Sequence, residues 1–296
     1  MTSPGTSTTS PRERGTDPGA GALALPRVLG AARTAGRGVG AFNVVLLEHA
    51  EAIVSGADAA DLPVVLQVSE NCVRYHGSAA PLLAAVVQLA RASRVPALVH
   101  LDHAEDVGLV HEAVELGVDS VMYDGSALPY ADNVATTLAV VEHCHGRGVA
   151  VEAELGEVGG KDGVHAPGAR TDPAEAAAFV AATGVDALAV AVGTSHAMVE
   201  RVATVDTDLV AALAAAVDVP LVLHGSSGLD DDQLAAAVRA GMTKVNISTH
   251  LNALFTAEVR AALADDPALV DPRRYVRRGR AAVGAEVERL LRLLAP

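Results

Sequence analysis

Side chains that bind metals or transfer protons recur at the ends of apolar, strand-like segments. The stretch 96–107, PALVHLDHAEDV, is an apolar run that ends in Asp102 and His103, an acid beside an imidazole. Two further histidines, His196 and His224, follow later apolar runs in the same way. Neutral imidazoles that converge from different strands make an open divalent-metal site with one position left for a substrate. We therefore predict a metal site, with zinc as the ion, that polarises a carbonyl group.

Small polar residues follow the last two strand-like segments, where they offer backbone N–H groups to an anion. The residues concerned are Gly225, Ser226, Ser227, Asn246, Ser248 and Thr249. Phosphate sites after strands seven and eight are common in parallel barrels. We predict an anion site here; the alternative interpretation is an ordinary Gly–Ser turn.

Eight apolar segments alternate with helix-like segments over residues 38–248. Each segment is nearly continuous in apolar residues, which is typical of strands in a parallel sheet that is covered by helices. Eight strand–helix units in about 220 residues predict a (β/α)8 TIM barrel rather than an open doubly wound sheet. No G-x-G-x-x-G motif follows the first strand, which argues against a dinucleotide site.

Each of the eight predicted strands ends in a polar residue. The strand ends are Asn43, Ser69, Asp102 with His103, Asp124, Glu154, His196, His224 and Asn246. Barrel enzymes carry their catalytic residues at the C-terminal ends of the strands. Strand ends that are merely solvated would carry Lys, Gly or Ser rather than three imidazoles, so we interpret these positions as a functional site.

Three further expectations concern the surroundings of this site. Residues 71–77 are expected to form a loop beside the pocket. His100 and His103, three residues apart on one strand, are expected to face opposite ways. Lys244 is expected at the start of the eighth strand, away from the catalytic end.

Composition and charge restrict the partners and the compartment. The 296-residue chain is half apolar, has a net charge of −14 and contains two cysteines. Such acidity argues against nucleic acid or an anionic membrane as a partner. Two cysteines make no disulfide framework, so we expect a reducing compartment, and without a membrane-length apolar run we expect a cytoplasmic protein. Residues 1–22 predict a disordered tail, followed by a single barrel domain over residues 23–296 with a C-terminal helical extension.

Several motifs occur in an order that is similar to one enzyme family. They are GAFNV, HLDHAEDV, MYDGS, VEAELGEVGG, AVGTSH, LVLHGSSGL and KVNIST, followed by DPRRY. Together they resemble the class II, metal-dependent ketose-bisphosphate aldolases, which include the fructose- and tagatose-1,6-bisphosphate enzymes. The resemblance covers residues 25–291.

The resemblance implies a role for each strand-end residue. It implies zinc on His103, His196 and His224, and it implies that Asp102 takes the C4 hydroxyl proton during cleavage. The zinc would hold the enediolate of dihydroxyacetone phosphate. The other implied positions are Asn43 and Ser69 in the substrate pocket; Ala197, Gly225, Ser226, Ser227, Asn246, Ser248 and Thr249 at the phosphate; and Asp124 and Glu154 near the metal, orienting its ligands or holding a second ion.

The resemblance also implies an assembly and a further ion. Family members are usually dimers or tetramers, so we expect a homodimer or homotetramer. They often need a monovalent cation near the phosphate, so Na⁺ or K⁺ is expected in addition to Zn²⁺.

Three positions depart from the family pattern. The loop after ELG-x-x-GG usually carries a Glu that exchanges protons with the enediolate, whereas this loop offers only Asp162. The Gly after the second zinc histidine is Ala197, and H-G-G-S-G has become His224-Gly225-Ser226-Ser227-Gly228. Both changes add side-chain atoms beside the expected phosphate site.

Three functions follow from these observations, and a fourth is disfavoured. The first is zinc-dependent cleavage of fructose-1,6-bisphosphate in glycolysis or gluconeogenesis, with tagatose-1,6-bisphosphate as the next substrate. The departures favour, as alternatives, an aldolase for another phosphorylated ketose or a non-catalytic paralogue that binds sugar phosphate. A Schiff-base aldolase would need Lys161 or Lys244, the only lysines, and neither is expected at the catalytic end of a strand.

Overall fold

The computed structural model describes residues 23–155, 170–194 and 204–296. The predicted tail over residues 1–22 lies outside these ranges. So do Asp162 and Lys161 in the long loop, and His196 and Ala197 after the sixth strand.

Eight parallel strands close into a barrel in chain order. The strands are β1 (Val39–Asn43), β2 (Val64–Ser69), β3 (Ala97–Ala104), β4 (Ser120–Tyr123), β5 (Ala150–Glu154), β6 (Ala187–Ala189), β7 (Leu221–Leu223) and β8 (Met242–Ile247). Each strand pairs with the next, and β8 pairs with β1. The predicted (β/α)8 barrel is confirmed. The sixth strand is shorter than predicted: β6 ends at Ala189, seven residues before His196.

Helices connect the strands and surround the barrel within the described residues. They are α1 (Ala24–Thr34), α2 (Leu47–Ala60), α3 (Glu70–His76), α4 (Ala80–Ala92), α5 (Val107–Glu115), α6 (Tyr130–His145), α7 (Pro173–Thr183), α8 (Thr207–Ala216), α9 (Asp231–Ala240), α10 (Thr249–Asp265) and α11 (Pro272–Leu294). The expected loop over residues 71–77 is wrong, because α3 occupies most of it. The Ser69 hydroxyl caps α3 by accepting a hydrogen bond from the Cys72 backbone N–H.

Aspartates begin five of these helices. Their side chains accept hydrogen bonds from backbone N–H groups of the first turn, which have no partner within the helix. The capping residues are Asp106, Asp172, Asp206, Asp230 and Asp271, which precede α5, α7, α8, α9 and α11. These aspartate caps define the residue at which each of the five helices begins.

Alternation along the strands separates the outer face of the barrel from its interior. Outward residues such as Leu66 and Val151 belong to the main apolar core between the strands and the helices. Inward residues at the N-terminal end are apolar, and Leu25 and Leu29 of α1 pack against them. Toward the C-terminal ends of the strands, the inward-facing side chains become polar although they remain buried. The polar chemistry is therefore confined to the C-terminal half of the interior.

Helix α11 closes the ring of helices. It packs against α2, α9 and β1, and α10 packs on it as the C-terminal extension. Gly56 of α2 permits this packing, because a Cβ atom there would lie 2.5 Å from the Gly284 carbonyl oxygen of α11. Among the described residues, no helix combines the length and the apolar character needed to cross a bilayer.

Candidate active site

An irregularity in β3 directs two adjacent side chains into one cavity. Residues 102 and 103 of a regular strand would point to opposite faces. His103 instead has a φ of 47°, and the pairing of β3 with β4 shifts register between Leu101 and Ala104. As a result, Asp102 and His103 both line the cavity at the C-terminal end of the barrel. A positive φ at a non-glycine residue costs backbone energy and is typical of functional sites.

The same irregularity corrects the expectation for His100. His100 does not face away from His103: both imidazoles lie in the barrel interior. His100 is fully buried, with Nδ1 2.8 Å from the Ser120 hydroxyl and Nε2 3.8 Å from Glu152 Oε2. Burial and the charge of Lys244 lower the pKa of His100 well below its usual value, so this ring is neutral.

Two of the predicted metal ligands face each other. His224 Nδ1 lies 3.0 Å from His103 Nε2, and the rings come from β3 and the end of β7. The opposite nitrogen of each ring is bound to a carboxylate: His103 Nδ1 lies 2.8 Å from Asp124, and His224 Nε2 lies 3.0 Å from Glu152. Carboxylates in this position orient metal-binding histidines and strengthen their inner nitrogens as ligands.

Glu154 is the third group of this cluster. Ligand atoms of His103, Glu154 and His224 all lie within 4.8 Å of one another, an arrangement that can hold a metal ion. His196, which was predicted as the third ligand, lies outside the described residues. The structure thus brings together two of the three predicted histidines and adds a carboxylate at the cluster itself.

The electrostatics of the cluster fit a cation. Burial opposes the charged imidazolium of His103, but Asp102, Asp124 and Glu154 outweigh it and raise the pKa of His103 to about 10. Burial, together with the charge of Asp124, raises the pKa of Glu154 well above its usual value. Burial also opposes the Asp124 carboxylate, but hydrogen bonds from His103 and Ser126 lower its pKa. The shifts therefore favour the protonated forms of His103 and Glu154, and a divalent ion would replace those protons.

Asp102 is held on one oxygen only. Asn43 donates from Nδ2 to Asp102 Oδ2 at 2.9 Å, and Gln67 donates to Asn43 Oδ1 at 3.2 Å. Asp102 Oδ1 is buried and receives no hydrogen bond from any residue that the structure describes. One oxygen is thus fixed in position, while the other can accept a proton from a ligand.

The residues predicted to bind an anion lie at the ends of β7 and β8. Gly225 has a φ of 65°, a left-handed conformation that glycine adopts without strain. Ser227 Oγ accepts hydrogen bonds from the backbone N–H groups of Ser248 and His250 at 3.3 and 3.4 Å. Ser226 is buried, and its hydroxyl is bound to the Asn246 carbonyl, so only its backbone remains to meet an anion.

One cavity of about 420 Å³ connects these features. Asn43, Asp102, His103 and Asp124 line it beside β1, β3 and β4. Gly225, Ser227, Asn246, Ser248 and Thr249 line it beside β7 and β8. Ser69, Glu70, Asn71 and Arg74 line it where β2 enters α3, and Glu105 follows β3.

Comparison with known proteins decides the family. The family model described as class-II fructose-bisphosphate aldolase matches residues 24–295. The chain belongs to the class II fructose-bisphosphate aldolase family. It is therefore an aldolase, a lyase, of a family that generally depends on zinc and acts on phosphorylated ketoses.

Solved structures agree with this assignment. The YdjI aldolase from Escherichia coli K12 is similar with a TM-score of 0.80 and 28% identity, over 91% of this chain and 96% of that one. A candidate fructose-1,6-bisphosphate aldolase from Coccidioides immitis has a TM-score of 0.80 and 30% identity, over 92% and 96%. The fructose-bisphosphate aldolase from Campylobacter jejuni has a TM-score of 0.79 and 22% identity, over 92% and 94%, and supports the fold alone.

Lys244 of this aldolase has a different position from the one predicted. It is the third residue of β8, is fully buried, and donates from Nζ to Glu152 Oε2 at 2.8 Å. Glu152 also contacts His224, so Lys244 is connected through Glu152 to the cluster of His103, Glu154 and His224. Lys244 does not line the cavity, so it cannot reach a substrate carbonyl to form a Schiff base.

Gln67, Glu70 and Arg74 surround the aldolase site but were not predicted from the sequence, while Glu152 and Lys244 were considered and not assigned to the site. Gln67, Glu152 and Lys244 each precede a strand-end residue by two, and this spacing of buried polar residues indicates a shared inward face. Glu70 and Arg74 are spaced as neighbours on a helix, but the segment was interpreted as a loop. The period of two that places Glu152 on the same face as Glu154 also applies to Gln67 and Lys244.

Proposed function

We propose that this aldolase catalyses reversible, zinc-dependent cleavage of a ketose 1,6-bisphosphate to dihydroxyacetone phosphate and an aldehyde such as glyceraldehyde 3-phosphate. Fructose-1,6-bisphosphate is the first candidate and tagatose-1,6-bisphosphate the second. One observation carries the proposal: the Asp102 carboxylate, with one oxygen unpartnered, shares a cavity with His103, which contacts His224, and with the residues after β7 and β8.

The residues present fit a zinc ion. His103, His224 and Glu154 offer ligand atoms close together, and we propose His196 as a further ligand. Zinc accepts this mixture of imidazole nitrogen and carboxylate oxygen. When bound, the ion supplies a positive charge that withdraws electrons from the ketose carbonyl.

Asp102 performs the proton transfer in this proposal. Its Oδ1 takes the proton of the C4 hydroxyl, the C4 oxygen becomes the aldehyde carbonyl, and the C3–C4 bond breaks. The electron pair of that bond remains on the dihydroxyacetone phosphate fragment. Asn43 holds Asp102 Oδ2 throughout, so the carboxylate keeps its orientation in both directions of the reaction.

The residues after β7 and β8 bind the C1 phosphate in this proposal. Backbone N–H groups around Gly225 and Ser227 and that of Thr249 supply the hydrogen bonds, because small residues leave the backbone accessible. Ser69 and Asn246 line the same cavity and complete the substrate pocket. A monovalent cation, Na⁺ or K⁺, is proposed near this phosphate.

The test is cleavage of both hexose bisphosphates by enzyme as purified, after treatment with EDTA, and after zinc is restored. Activity that is lost with EDTA and regained with zinc supports the proposal, and the ratio of kcat/KM values identifies the preferred hexose. Zinc-loaded protein that cleaves neither substrate would overturn the assignment of substrate.

A second candidate is an aldolase for another phosphorylated ketose. Two departures from the family pattern favour it: Asp162 is the only acid in the loop where the family has Glu, and Ala197 replaces the family's Gly beside the expected phosphate site. Product analysis over a panel of ketose phosphates distinguishes the two.

A non-catalytic paralogue would bind dihydroxyacetone phosphate without exchanging its C–H proton with solvent.

The setting of the enzyme is also a proposal. We propose a homodimer or homotetramer in the cytoplasm, with neither nucleic acid nor membrane as a partner. Light scattering of the purified enzyme tests the assembly, and cell fractionation tests the location.

A further inference from the structure

We propose that Arg74 binds the anionic group at the far end of the ketose, the end that is released as the aldehyde. Arg74 would then make this aldolase selective for substrates that are charged at both ends. The inference rests on the proposed function and names the substrate class of the same site. The anion is a phosphate or a carboxylate, since both offer the oxygen acceptors that a guanidinium binds.

Arg74 lines the cavity beside β2, whereas the proposed C1 phosphate site lines it beside β7 and β8. β2, which leads into α3 and Arg74, is separated from β7 by β1 and β8 in the closed barrel. The His103–His224 contact joins β3 to the end of β7 through the interior. Asp102 lies beside Ser69, because β3 pairs with β2, the strand that leads into α3 and Arg74. A ketose with its first phosphate at Gly225 and its reacting carbons beside Asp102 can therefore reach Arg74 with its other end.

Glu70 holds Arg74 at this end of the cavity. Arg74 Nη2 donates to Glu70 Oε1 in a short hydrogen bond, and Nη1 donates to Asn71 Oδ1 at 3.3 Å. Glu70 is itself buried, and its Oε2 accepts from the backbone N–H groups of Glu105 and Asp106 at 2.7 and 3.2 Å. The guanidinium is thus anchored through Glu70 to the loop that follows β3, the strand that carries Asp102.

The guanidinium retains donors for a ligand. Arginine has five N–H donors, and the bonds to Glu70 and Asn71 account for two of them. The Arg74 side chain is 63% exposed, so its remaining donors can meet a substrate in the cavity. A guanidinium that is already oriented loses less freedom when it binds an anion.

Charge within the cavity makes Arg74 necessary for such a ligand. Among the described residues that line it, Arg74 is the only lysine or arginine, whereas Glu70, Asp102, Glu105 and Asp124 are acidic. Without Arg74, a terminal phosphate or carboxylate on this side would face Glu70 and Glu105 with no cation among the described lining residues. An aldehyde with a neutral end needs no such cation.

The experiment measures condensation of dihydroxyacetone phosphate with three aldehydes by the zinc-loaded enzyme. The aldehydes are glyceraldehyde 3-phosphate, tartronate semialdehyde and glyceraldehyde, which have three carbons each and end in a phosphate, a carboxylate and a hydroxyl. Arg74→Met is compared with Arg74→Lys and with Arg147→Met. Arg147 is an exposed arginine that pairs with Glu115 outside the cavity, so its replacement is the matched change of charge.

We expect the wild type to prefer a charged aldehyde. Arg74→Met should lower kcat/KM for that aldehyde about 10- to 100-fold, mainly through KM, and leave glyceraldehyde unchanged. Arg74→Lys should restore part of the preference, and Arg147→Met should have no effect. The charged aldehyde with the larger loss identifies the anion.

Two results would overturn the assignment of Arg74 while the proposed function stands. One is a wild type that uses glyceraldehyde as well as the charged aldehydes; the other is an equal loss for all three aldehydes in Arg74→Met. Zinc-loaded wild type that condenses none of them would contradict the proposed function itself, and this inference with it.

Discussion

The two oxygens of Asp102 have different surroundings, and this difference defines its proposed role. Oδ2 accepts from Asn43, while Oδ1 has no partner among the described residues although it is buried. A buried carboxylate oxygen without a partner is costly unless a ligand supplies one. Asp102 therefore combines a fixed orientation with an open acceptor, as a proton-transfer group requires.

Asp102→Asn should abolish proton transfer and retain the metal. An amide keeps the size of the side chain but cannot take the C4 hydroxyl proton, so we expect kcat to fall about 10²- to 10⁴-fold. Steady-state cleavage and metal analysis by mass spectrometry test this together. Asp106→Asn, an exposed helix cap four residues away, is the control. A variant with near-normal kcat would exclude Asp102 as the base.

At the scale of elements, the packing of α2 against α11 depends on one glycine. A Cβ atom at Gly56 would meet the Gly284 carbonyl oxygen at 2.5 Å and Val287 Cβ at 2.9 Å, both on α11. The helices would have to separate to accommodate it. Gly30, inside α1, has no atom within 4 Å of its hypothetical Cβ.

These two glycines make a matched pair for a stability measurement. Gly56→Ala should lower the free energy of unfolding by about 1–3 kcal/mol through overpacking. Gly30→Ala should raise it by about 0.5–1 kcal/mol, since alanine in an open helical position restricts the unfolded chain. Urea denaturation of both variants tests the prediction, which would be contradicted if the two changes had the same sign.

Glu286 connects the C-terminal helices through an ionic network. It lies 2.8 Å from His250 Nε2 of α10 and 2.7 Å from Arg289, which also contacts Asp231 of α9. Burial opposes its charge, but hydrogen bonds from Arg289 and His250 outweigh this and lower the pKa of Glu286 to about 2 from an ordinary 4.5. Its charged form is thus favoured by folding.

The pKa shift predicts how stability changes with pH. Because the folded-state pKa of Glu286 is the lower one, its contribution is present above the unfolded value of 4.5 and is lost as pH falls toward 2. Glu286→Gln should be less stable than wild type at pH 6, and the difference should shrink through that window. Unfolding in urea at a series of pH values tests this; a constant difference down to pH 3 would refute it.

At the scale of the whole molecule, the metal should couple the barrel strands to one another. His103, Glu154 and His224 come from β3, β5 and the end of β7, so an ion that binds them stabilises the closed barrel. Binding to the folded state alone adds about 2.7 kcal/mol when free zinc is 100 times its Kd. The unfolded chain cannot present this arrangement.

Zinc should therefore raise the melting temperature of the EDTA-treated enzyme. Asp124→Asn weakens the hydrogen bond that orients His103, so about 10- to 100-fold more zinc should be needed for the same rise. Calorimetry against buffered zinc measures this, with Asp218→Asn, an exposed aspartate, as the control. If added zinc left the melting temperature of the wild type unchanged, that result would argue against the metal site.

The barrel could be predicted because its signals are local. Apolar runs of strand length repeat in each unit, and glycines close several of the helices; each signal acts within a few residues. The family was predicted in the same way from short motifs in order. The predicted roles of the site residues stay predictions, since they depend on bound species.

The failures arose where a non-local fact decides the outcome. His100 and His103 face the same interior because β3 shifts its register against β4, and no local pattern in the strand predicts the positive φ at His103. Lys244 contacts Glu152 from a strand that lies 92 residues later in the chain. Such pairs become visible only when the barrel is closed.

The sequence by itself determined the alternation of strands and helices, the family, and the polar residue at each strand end, because periodicity and motifs are properties of neighbouring residues. Only the tertiary structure decided which side chains meet. Closure of eight strands brings Glu154 to the His103–His224 pair and Arg74 to the far end of the cavity. Those contacts depend on strand register and on the curvature of the barrel, which the whole chain sets together.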